Sequence, residues 1–273
     1  MESRSLRSRS PRAVVSSLVR RTPPYLRLVE ERDQLQQRCR RLQDECERLA
    51  ALAGAPAGRD DLGYAFIVTY GRSGSTLLLG VLDSTPGWLI RGENAGAVYQ
   101  LYRHFKEITD RPQSRRRDEP FDSTHPWFGL DQYPRKLALA EIRQLIHDTL
   151  LRPEPDTRVT GFKEIRWQQP DLVDYLRFLQ RLFPQAKFVF NTRNHDDVVQ
   201  SKWWTKGENP LAEVARIEHL QSAAADALGD AAYRVHYDDY VRDPAVLRGL
   251  FDWLEEEFDE DRVRSVMAIQ HSY

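Results

Sequence analysis

The stretch "YAFIVTYGRSGSTLLLGVL", residues 64–82, places a turn rich in glycine and hydroxyl groups between two apolar runs. The first run, "AFIVTY", is rich in β-branched and aromatic residues and has the length of a buried strand. The second run, "TLLLGVL", follows at once and is predicted to be a helix. Because a strand, a glycine-bearing turn and a helix in this order build an anion site, the stretch predicts an α/β fold and a binding function together.

The turn at residues 71–76 offers several kinds of group that favour an anion. The first backbone N–H groups of a helix are unpaired, and the helix dipole adds positive potential there. The glycines let the backbone approach a ligand, the hydroxyls donate hydrogen bonds, and the arginine offers a fork of donors suited to phosphate or sulfate. The residues that we expect to bind the anion are Arg72, Ser73, Gly74, Ser75 and Thr76.

This turn is arranged like a P-loop but lacks the lysine of the nucleotide-hydrolysing pattern G-x-x-x-x-G-K-[ST]. A P-loop kinase or nucleotidase is therefore an alternative that the sequence disfavours, since it also requires an aspartate after a strand to hold Mg²⁺. A second alternative is a Ser/Thr-rich helix cap that binds nothing. A third is a non-catalytic coiled-coil scaffold that carries a degenerate nucleotide-binding domain.

The rest of the chain alternates between strand and helix patterns. Further strands are predicted at "RVTGFKEIR", "AKFVFNTR" and "AYRVHY", and the predicted helices include residues 137–151 and 196–204. This alternation predicts an α/β fold of three layers with a parallel sheet and right-handed connections. The polar segment 103–127 interrupts the pattern. We expect an exposed insertion there, which is either a solvated loop or a surface that recognises an acidic glycan or lipid headgroup.

A second anion contact is predicted near the end of the strand in "KFVFNTRNHDDVVQSKWW". Arg193 ends this strand, and Ser201 follows eight residues later in the predicted helix. The carboxyl ends of parallel strands face one crevice, where such folds bind their ligands. We therefore expect Arg193 and Ser201 to converge on a second phosphate beside the turn.

Taken together, these segments resemble the sulfotransferase family that uses 3′-phosphoadenosine 5′-phosphosulfate (PAPS). "GRSGSTLL" resembles the family's loop for the 5′-phosphosulfate, and Arg193 with Ser201 has the spacing of its 3′-phosphate contact. "VHYDDYVRDP" resembles a later stretch in which Tyr237 matches a tyrosine packed near the adenine. The resemblance covers about residues 64–255 and implies a P-loop-like sulfotransferase fold, PAPS as the co-substrate and no metal.

The chain departs from the family in two respects. Arg72 stands where many members carry lysine, and the glycine-rich C-terminal nucleotide loop of the cytosolic members is missing. These departures favour the bacterial and carbohydrate-directed branch. The acceptor is accordingly expected to be a small molecule or, more specifically, a hydroxyl of a glycan or glycolipid.

The resemblance also implies a base that removes the proton of the acceptor. Glu93 in "LIRGENAG" follows a short apolar segment and aligns with the glutamate proposed as the base in the protein-tyrosine and bacterial glycolipid members. The alternatives are His104 and His125, because histidine exchanges protons near neutral pH.

Cations are expected to stabilise charge on the transferred sulfuryl group and on the leaving phosphate. Arg72 serves the leaving phosphate in this interpretation. "GFKEIRW" places Lys163 and Glu164 on alternate faces of a strand, so that one of them should face the crevice, and Lys163 is the predicted second cation. Arg166 is the alternative, as is a structural network of ion pairs among the three residues.

The region before the α/β domain has its own pattern. Leu28, Leu35, Leu42 and Leu49 recur every seven residues, with Cys39 and Cys46 at the companion position. This spacing predicts a coiled coil and a homodimer, or else an amphipathic helix docked on its own domain. The predicted segments are a basic disordered arm at 1–24, a coiled-coil helix at 25–53, a linker at 54–63 and a sulfotransferase domain at 64–273.

The composition excludes several other classes of protein. A net charge of −1 argues against a nucleic-acid partner, and only the arm at 1–24 is basic enough to contact an anionic membrane surface. Two cysteines in 273 residues exclude a disulfide scaffold. No apolar stretch approaches the length of a membrane span and no secretory signal is recognised, so a cytoplasmic location is the default expectation. The Arg- and Ser-rich start also resembles an organelle transit peptide, which is the alternative.

Overall fold

A computed structural model of the chain describes residues 27, 29–42, 62–110, 121–201, 203–204 and 208–269. The chain forms two compact units, Met1–Ala53 and Gly54–Tyr273. In the first unit, residues 29–42 are helical, and their side chains are almost all exposed. The predicted basic arm, most of the predicted linker and the remainder of the predicted coiled coil lie outside the described residues.

The second unit contains a parallel sheet with the strand order β2-β3-β1-β4-β5. The α/β fold with a parallel sheet is therefore confirmed. Its strands in the described residues are β1 (Gly63–Val68), β2 (Trp88–Arg91), β3 (Val159–Glu164), β4 (Lys187–Thr192) and β5 (Ala232–His236).

Helices cover both faces of the sheet. They are α1 (Ser75–Asp83), α2 (Ala97–Asp110), α3 (Arg135–Ile146), α4 (Leu172–Leu182), α5 (His195–Val199), α6 (Pro210–Leu228), α7 (Tyr237–Arg242), α8 (Arg248–Leu254) and α9 (Glu260–Met267). Short 3₁₀ turns occupy Leu130–Gln132, Gly229–Ala231 and Pro244–Leu247, and a π turn extends α3 through His147–Leu151. No helix in the described parts of the chain is long and apolar enough to cross a membrane.

Three predictions about the elements were wrong. The strand β2 was read only as a short apolar segment, because four residues are too few to show a period. The helix predicted at 196–204 ends at Val199. The insertion predicted at 103–127 begins inside α2, where Val98, Tyr102 and Phe105 are buried on one helical face. Residues 111–120 of that segment lie outside the described residues.

The two faces of β1 explain why its sequence is apolar without a break. Tyr64, Phe66 and Val68 pack into a core formed with α2, α3 and α4, whereas Ala65 and Ile67 pack into a second core formed with α1, α8 and α9. A strand that is covered by helices on both sides has no solvent face and therefore no polar alternation. The three-layer arrangement follows from this pattern.

The strand order determines what surrounds the turn after β1. The strand β3 pairs with β1 on one side and β4 pairs with it on the other. The carboxyl ends of all three strands therefore lie together. Residues that follow β2 and β3 approach the turn from one side, and residues that follow β4 and β5 approach it from the other.

Candidate active site

A cavity of about 520 Å³ lies at the carboxyl ends of the strands. Five residues of the turn line it, namely Gly71, Arg72, Gly74, Ser75 and Thr76. Four other residues singled out in the sequence also line it, and each lies in the last two residues of a different strand or just after it: Glu93, Lys163, Arg193 and Tyr237. The fold thus brings most of the predicted site residues to one space.

The turn owes its shape to two residues with left-handed backbones. Arg72 has φ 71° and Gly74 has φ 77°, and Gly74 precedes the first residue of α1. No side chain caps this helix, and of its first N–H groups that of Leu77 donates to the Gly74 carbonyl oxygen at 2.9 Å, so those of Ser75 and Thr76 are left for another acceptor. A Cβ at Gly74 would lie 2.1 Å from a ring carbon of Tyr237. Only glycine satisfies both the backbone and the close approach of that ring.

Ser73 lies beneath the turn. Its hydroxyl is 2.6 Å from Thr69 Oγ1, which donates to the carbonyl oxygen of Asn191 at 2.8 Å. Asn191 Nδ2 donates to the Ser73 carbonyl oxygen at 2.9 Å, and the Tyr240 hydroxyl donates to Asn191 Oδ1 at 2.9 Å. These side chains are all fully buried, and burial raises the pKa of the Tyr240 phenol. The Ser73 hydroxyl therefore supports the turn from within the protein rather than facing the cavity.

Arg193 lies directly after β4 and is fixed on two sides. Its guanidinium lies 4.5 Å from the centre of the Tyr237 ring, and Nη1 donates to the Arg72 carbonyl oxygen at 3.3 Å. Its backbone N–H donates to the Tyr70 hydroxyl at 3.0 Å, which donates to Glu218 at 2.8 Å. Burial raises the pKa of the Tyr70 phenol. The hydrogen bond from the Arg193 amide acts in the opposite direction, and Glu218 raises the pKa further, so the phenol keeps its proton and remains a donor.

The donor atoms of Arg193 are largely unused within the described residues. Its Nε is buried and has no hydrogen-bond partner there. A buried guanidinium nitrogen without an acceptor is uncommon, because the lost hydration is not replaced. The site thus has the donors that a bound phosphate would satisfy.

Ser201 does not line the cavity. Because α5 ends at Val199, the residue sits in the following bend, where its hydroxyl accepts from the Trp203 backbone N–H at 3.4 Å. Trp204 closes this bend by donating from Nε1 to the Gly71 carbonyl oxygen at 3.0 Å. Trp203 lines the cavity, with its ring against Gly71 and 60% of its surface exposed.

Glu93 and Lys163 meet on the opposite side of the turn. Lys163 Nζ donates to Glu93 Oε1 at 2.6 Å, and the lysine side chain is only 7% exposed whereas that of the glutamate is 40% exposed. Of the alternate faces of β3, it is therefore the one bearing Lys163 that meets the cavity. Glu164 is buried and accepts backbone N–H groups instead.

The alternative residues lie elsewhere. Arg166 donates to the Ala95 carbonyl oxygen at 2.8 Å and does not line the cavity. His104 is on the exposed part of α2, and the ring of His125 stacks on Phe121 with 3.8 Å between ring centres. Within the described ranges, no group of three or more His, Cys, Asp or Glu residues is placed to hold a metal ion.

The sequence interpretation missed the residues that support the site from below. Thr69, Asn191 and Tyr240 form the network under the turn, and Tyr70 and Glu218 hold the backbone at Arg193. One signal was available, since Asn191 is a polar residue that directly continues the apolar run 188–190 within the strand "KFVFNT". A buried amide in such a strand indicates specific hydrogen bonds.

The comparisons with known proteins agree with this geometry. The sequence model of the sulfotransferase family matches residues 65–260. No curated protein matches the chain significantly. Among solved structures, the sulfotransferase domain from the Synechococcus PCC 7002 olefin synthase is 23% identical, with 79% of this chain and 80% of that chain covered and a TM-score of 0.50. This likeness supports the fold alone.

Two further solved structures are more distant. The sulfotransferase domain from the curacin biosynthetic pathway is 18% identical, with coverage of 76% of this chain and 78% of that chain and a TM-score of 0.48. Sulfotransferase STF9 from Mycobacterium avium is 15% identical, with coverage of 86% of this chain and 74% of that chain and a TM-score of 0.42.

Proposed function

Because the chain belongs to the sulfotransferase family, we propose that it transfers a sulfuryl group from PAPS to an acceptor hydroxyl. The observation that carries the proposal is the convergence of the uncapped turn at 71–76 and the under-used Arg193 guanidinium on one cavity. The turn is rich in hydrogen-bond donors, and the guanidinium is cationic. PAPS carries two anionic groups, a phosphosulfate and a separate phosphate. The two anion sites match these two groups.

The side of the cavity after β4 and β5 suits the nucleotide. Arg193 offers free donors to the 3′-phosphate, and the Tyr237 ring offers a flat apolar face beside it. The first-turn amides of α1, with the hydroxyls of Ser75 and Thr76, suit the 5′-phosphosulfate. Ser73 contributes to this arrangement by fixing the turn. Ser201 would have to move to reach the 3′-phosphate.

The side after β2 and β3 suits the transfer step. The acceptor oxygen attacks sulfur in line with the bond to the 5′-phosphate, that bond breaks, and its electron pair leaves with 3′-phosphoadenosine 5′-phosphate (PAP). Arg72 and Lys163 stabilise negative charge on the leaving phosphate and on the sulfuryl oxygens. Glu93 accepts the proton of the acceptor hydroxyl, and the Lys163 ammonium keeps the carboxylate at the cavity wall.

For the acceptor we propose a hydroxyl on a glycan or glycolipid. An exposed indole is a surface on which sugar rings stack, and Trp203 supplies one at the cavity beside Gly71, where the turn shared by both sides of the cavity begins. A homodimer and a cytoplasmic location remain proposals as well. They do not affect the chemistry of the site.

The first experiment is calorimetric titration with PAP in the absence of metal, with ATP–Mg²⁺ titrated in parallel. We expect micromolar binding of PAP only. The substitution Arg193→Ala should weaken it about 10- to 150-fold, the value of one or two charge-assisted hydrogen bonds. The control is Arg216→Ala, because Arg216 is exposed and, among the residues that the structure describes, forms its ion pair with Glu213 in α6.

The other outcomes of the titration favour the other interpretations. Binding of ATP–Mg²⁺ alone would replace the proposal with a kinase-like transferase. Binding of neither nucleotide would favour a non-catalytic scaffold. If Arg193→Ala and Arg216→Ala lost the same affinity for PAP, Arg193 would not be a residue of the PAP site.

A further inference from the structure

We propose that Glu164 is a positioning residue that holds the turn at residues 93–96 so that Glu93 stays beside Lys163. The role of Glu93 as a base rests on the proposed function, whereas the effect of Glu164 on the Glu93–Lys163 pair does not. Glu164 touches neither the cavity nor the reacting atoms. It acts through the backbone that carries Glu93.

The carboxylate of Glu164 is fully used by backbone donors. Oε2 accepts from the N–H groups of Asn94 at 3.1 Å and Gly96 at 2.9 Å. Oε1 accepts from the N–H groups of Ile165 at 2.8 Å and Arg166 at 3.2 Å. Only 2% of the residue is exposed, and a buried carboxylate is tolerated only when such donors replace its hydration. Two of these donors lie about 70 positions away in the sequence, so the carboxylate joins β3 to the turn after β2.

The backbone of this turn requires such a partner. Ala95 has φ 57° and Gly96 has φ 75°, and a non-glycine residue adopts the left-handed region at a cost of about 1–2 kcal/mol. Backbone N–H groups in and beside left-handed residues converge into a concavity that binds an anion. Glu164 occupies that concavity, and Arg166 Nη1 donates to the Ala95 carbonyl oxygen at 2.8 Å from the other side.

We call the four hydrogen bonds that Glu164 accepts from backbone N–H groups the clamp. The clamp lies next to the Glu93–Lys163 ion pair, both along β3 and along the turn after β2. Glu93 precedes Asn94 and pairs with Lys163, and Lys163 precedes Glu164, which binds the Asn94 N–H. The Glu164 bonds therefore fix the backbone one residue from the carboxylate that faces the cavity. Because a displacement of about 1 Å in a reacting group costs on the order of 10²-fold in rate, this fixation affects catalysis without contact with substrate.

The test is a double-mutant cycle on protein stability, measured by urea unfolding in two backgrounds. In the native background, Glu93→Ala and Lys163→Met should be coupled by about fivefold in the unfolding equilibrium constant, as for two residues in direct contact. In the Glu164→Gln background the coupling should fall below about twofold, because the glutamine NH₂ faces two backbone donors. The control background is Glu256→Gln, since Glu256 accepts from Trp88 and Arg158 away from the cavity.

Unchanged coupling in Glu164→Gln would overturn the proposal, even if that variant were less stable, since a merely structural residue leaves the coupling intact. If Glu164→Gln does not fold, hydrogen exchange in the native protein decides. Slow exchange of the Asn94 and Gly96 amides supports the clamp, and exchange at the rate of open loops refutes it. PAP titration of the native protein separates the positioning role of Glu164 from the proposed function. Failure to bind PAP would refute the proposed function, whereas the double-mutant cycle on stability would still test the role of Glu164.

Discussion

Lys163 donates to Glu93 over 2.6 Å and so joins the end of β3 to the segment that follows β2. The two partners differ in their surroundings, because the ammonium is buried and the carboxylate reaches solvent. An ion pair of this kind is asymmetric. Removal of the exposed partner strands a buried charge, whereas removal of the buried partner leaves a carboxylate that water can solvate.

This asymmetry predicts unequal costs for the two substitutions. Glu93→Ala should lower the free energy of unfolding by about 1–3 kcal/mol, because the Lys163 ammonium loses its acceptor. Lys163→Met should cost less than about 1 kcal/mol, because methionine fills the same space without a charge. Urea unfolding at pH 7 measures both values. Equal costs would show that the lysine finds another acceptor.

The turn predicts a strict requirement at Gly74. Gly74→Ala should cost more stability than Gly129→Ala and should weaken PAP binding, because its Cβ would strike the ring of Tyr237. Gly129 is the matched control, since it also has a positive φ but a Cβ there would meet open space. Gly129→Ala should lower the free energy of unfolding by only about 1–2 kcal/mol, which is the cost of a left-handed backbone at a non-glycine residue. Urea unfolding and PAP calorimetry of both variants check this, and equal losses would mean that the Tyr237 ring moves aside freely.

A pH dependence of stability is predicted at Asp171. Burial alone would raise the pKa of this carboxyl, but the hydrogen bonds from Lys106, Tyr99 and Tyr102 outweigh burial and hold the pKa below its usual value. A carboxyl whose pKa is lowered by folding contributes stability above its unfolded pKa of about 3.9, and the contribution is lost as the pH falls through the folded pKa.

Asp171→Asn should therefore cost about 1–3 kcal/mol at pH 7 and distinctly less near pH 3. Chemical unfolding of native and variant protein at both pH values gives the two differences. The control is Asp174→Asn, whose carboxylate lies 3.5 Å from Lys106 and is mostly exposed, and whose cost should be under about 1 kcal/mol at either pH. If Asp171→Asn lost the same amount of stability at both pH values, the pKa of Asp171 would not be lowered by folding.

The exposed leucines of the N-terminal helix predict self-association. Leu35 is 62% exposed and Leu42 is 57% exposed, and Cys39 lies between them as a free exposed thiol. In a parallel coiled coil, Cys39 would face its own copy, within reach of a disulfide. We expect mild oxidation of a Cys46→Ser variant to give a covalent dimer, and we expect that dimer to be lost when Cys39→Ser is added to the same variant. Sedimentation of the reduced full chain as a monomer would refute the dimer.

The sequence predicted the parts of the fold that depend on local pattern. The strands β1 and β4 were recognised because strands buried on both faces are continuous apolar runs. The edge strand β2 and the early end of α5 were missed. The first has only four residues, and the second depends on the hydrogen bond of Trp204 to Gly71, which no local propensity contains.

In the site, too, local patterns predicted some residues, and residues that depend on remote contacts were missed. Arg193 was located because it ends a predicted strand, and strand ends converge in a parallel sheet. Tyr237 was located through the resemblance of "VHYDDYVRDP" to the family. The network of Thr69, Asn191 and Tyr240 was not located, because most of its hydrogen bonds join residues that are remote in sequence. Patterns thus indicate which residues reach the crevice, but not which residues support them.

The buried network beneath the turn has a thermodynamic consequence. Because Ser73 is bonded from below by side chains that water does not reach, the turn keeps its shape whether or not an anion is present. An arriving ligand therefore meets donors that already point at it and loses little of its affinity to ordering the loop. Substitution of Asn191 would convert a preorganised receptor into one that folds around its ligand, and slower association would reveal the change.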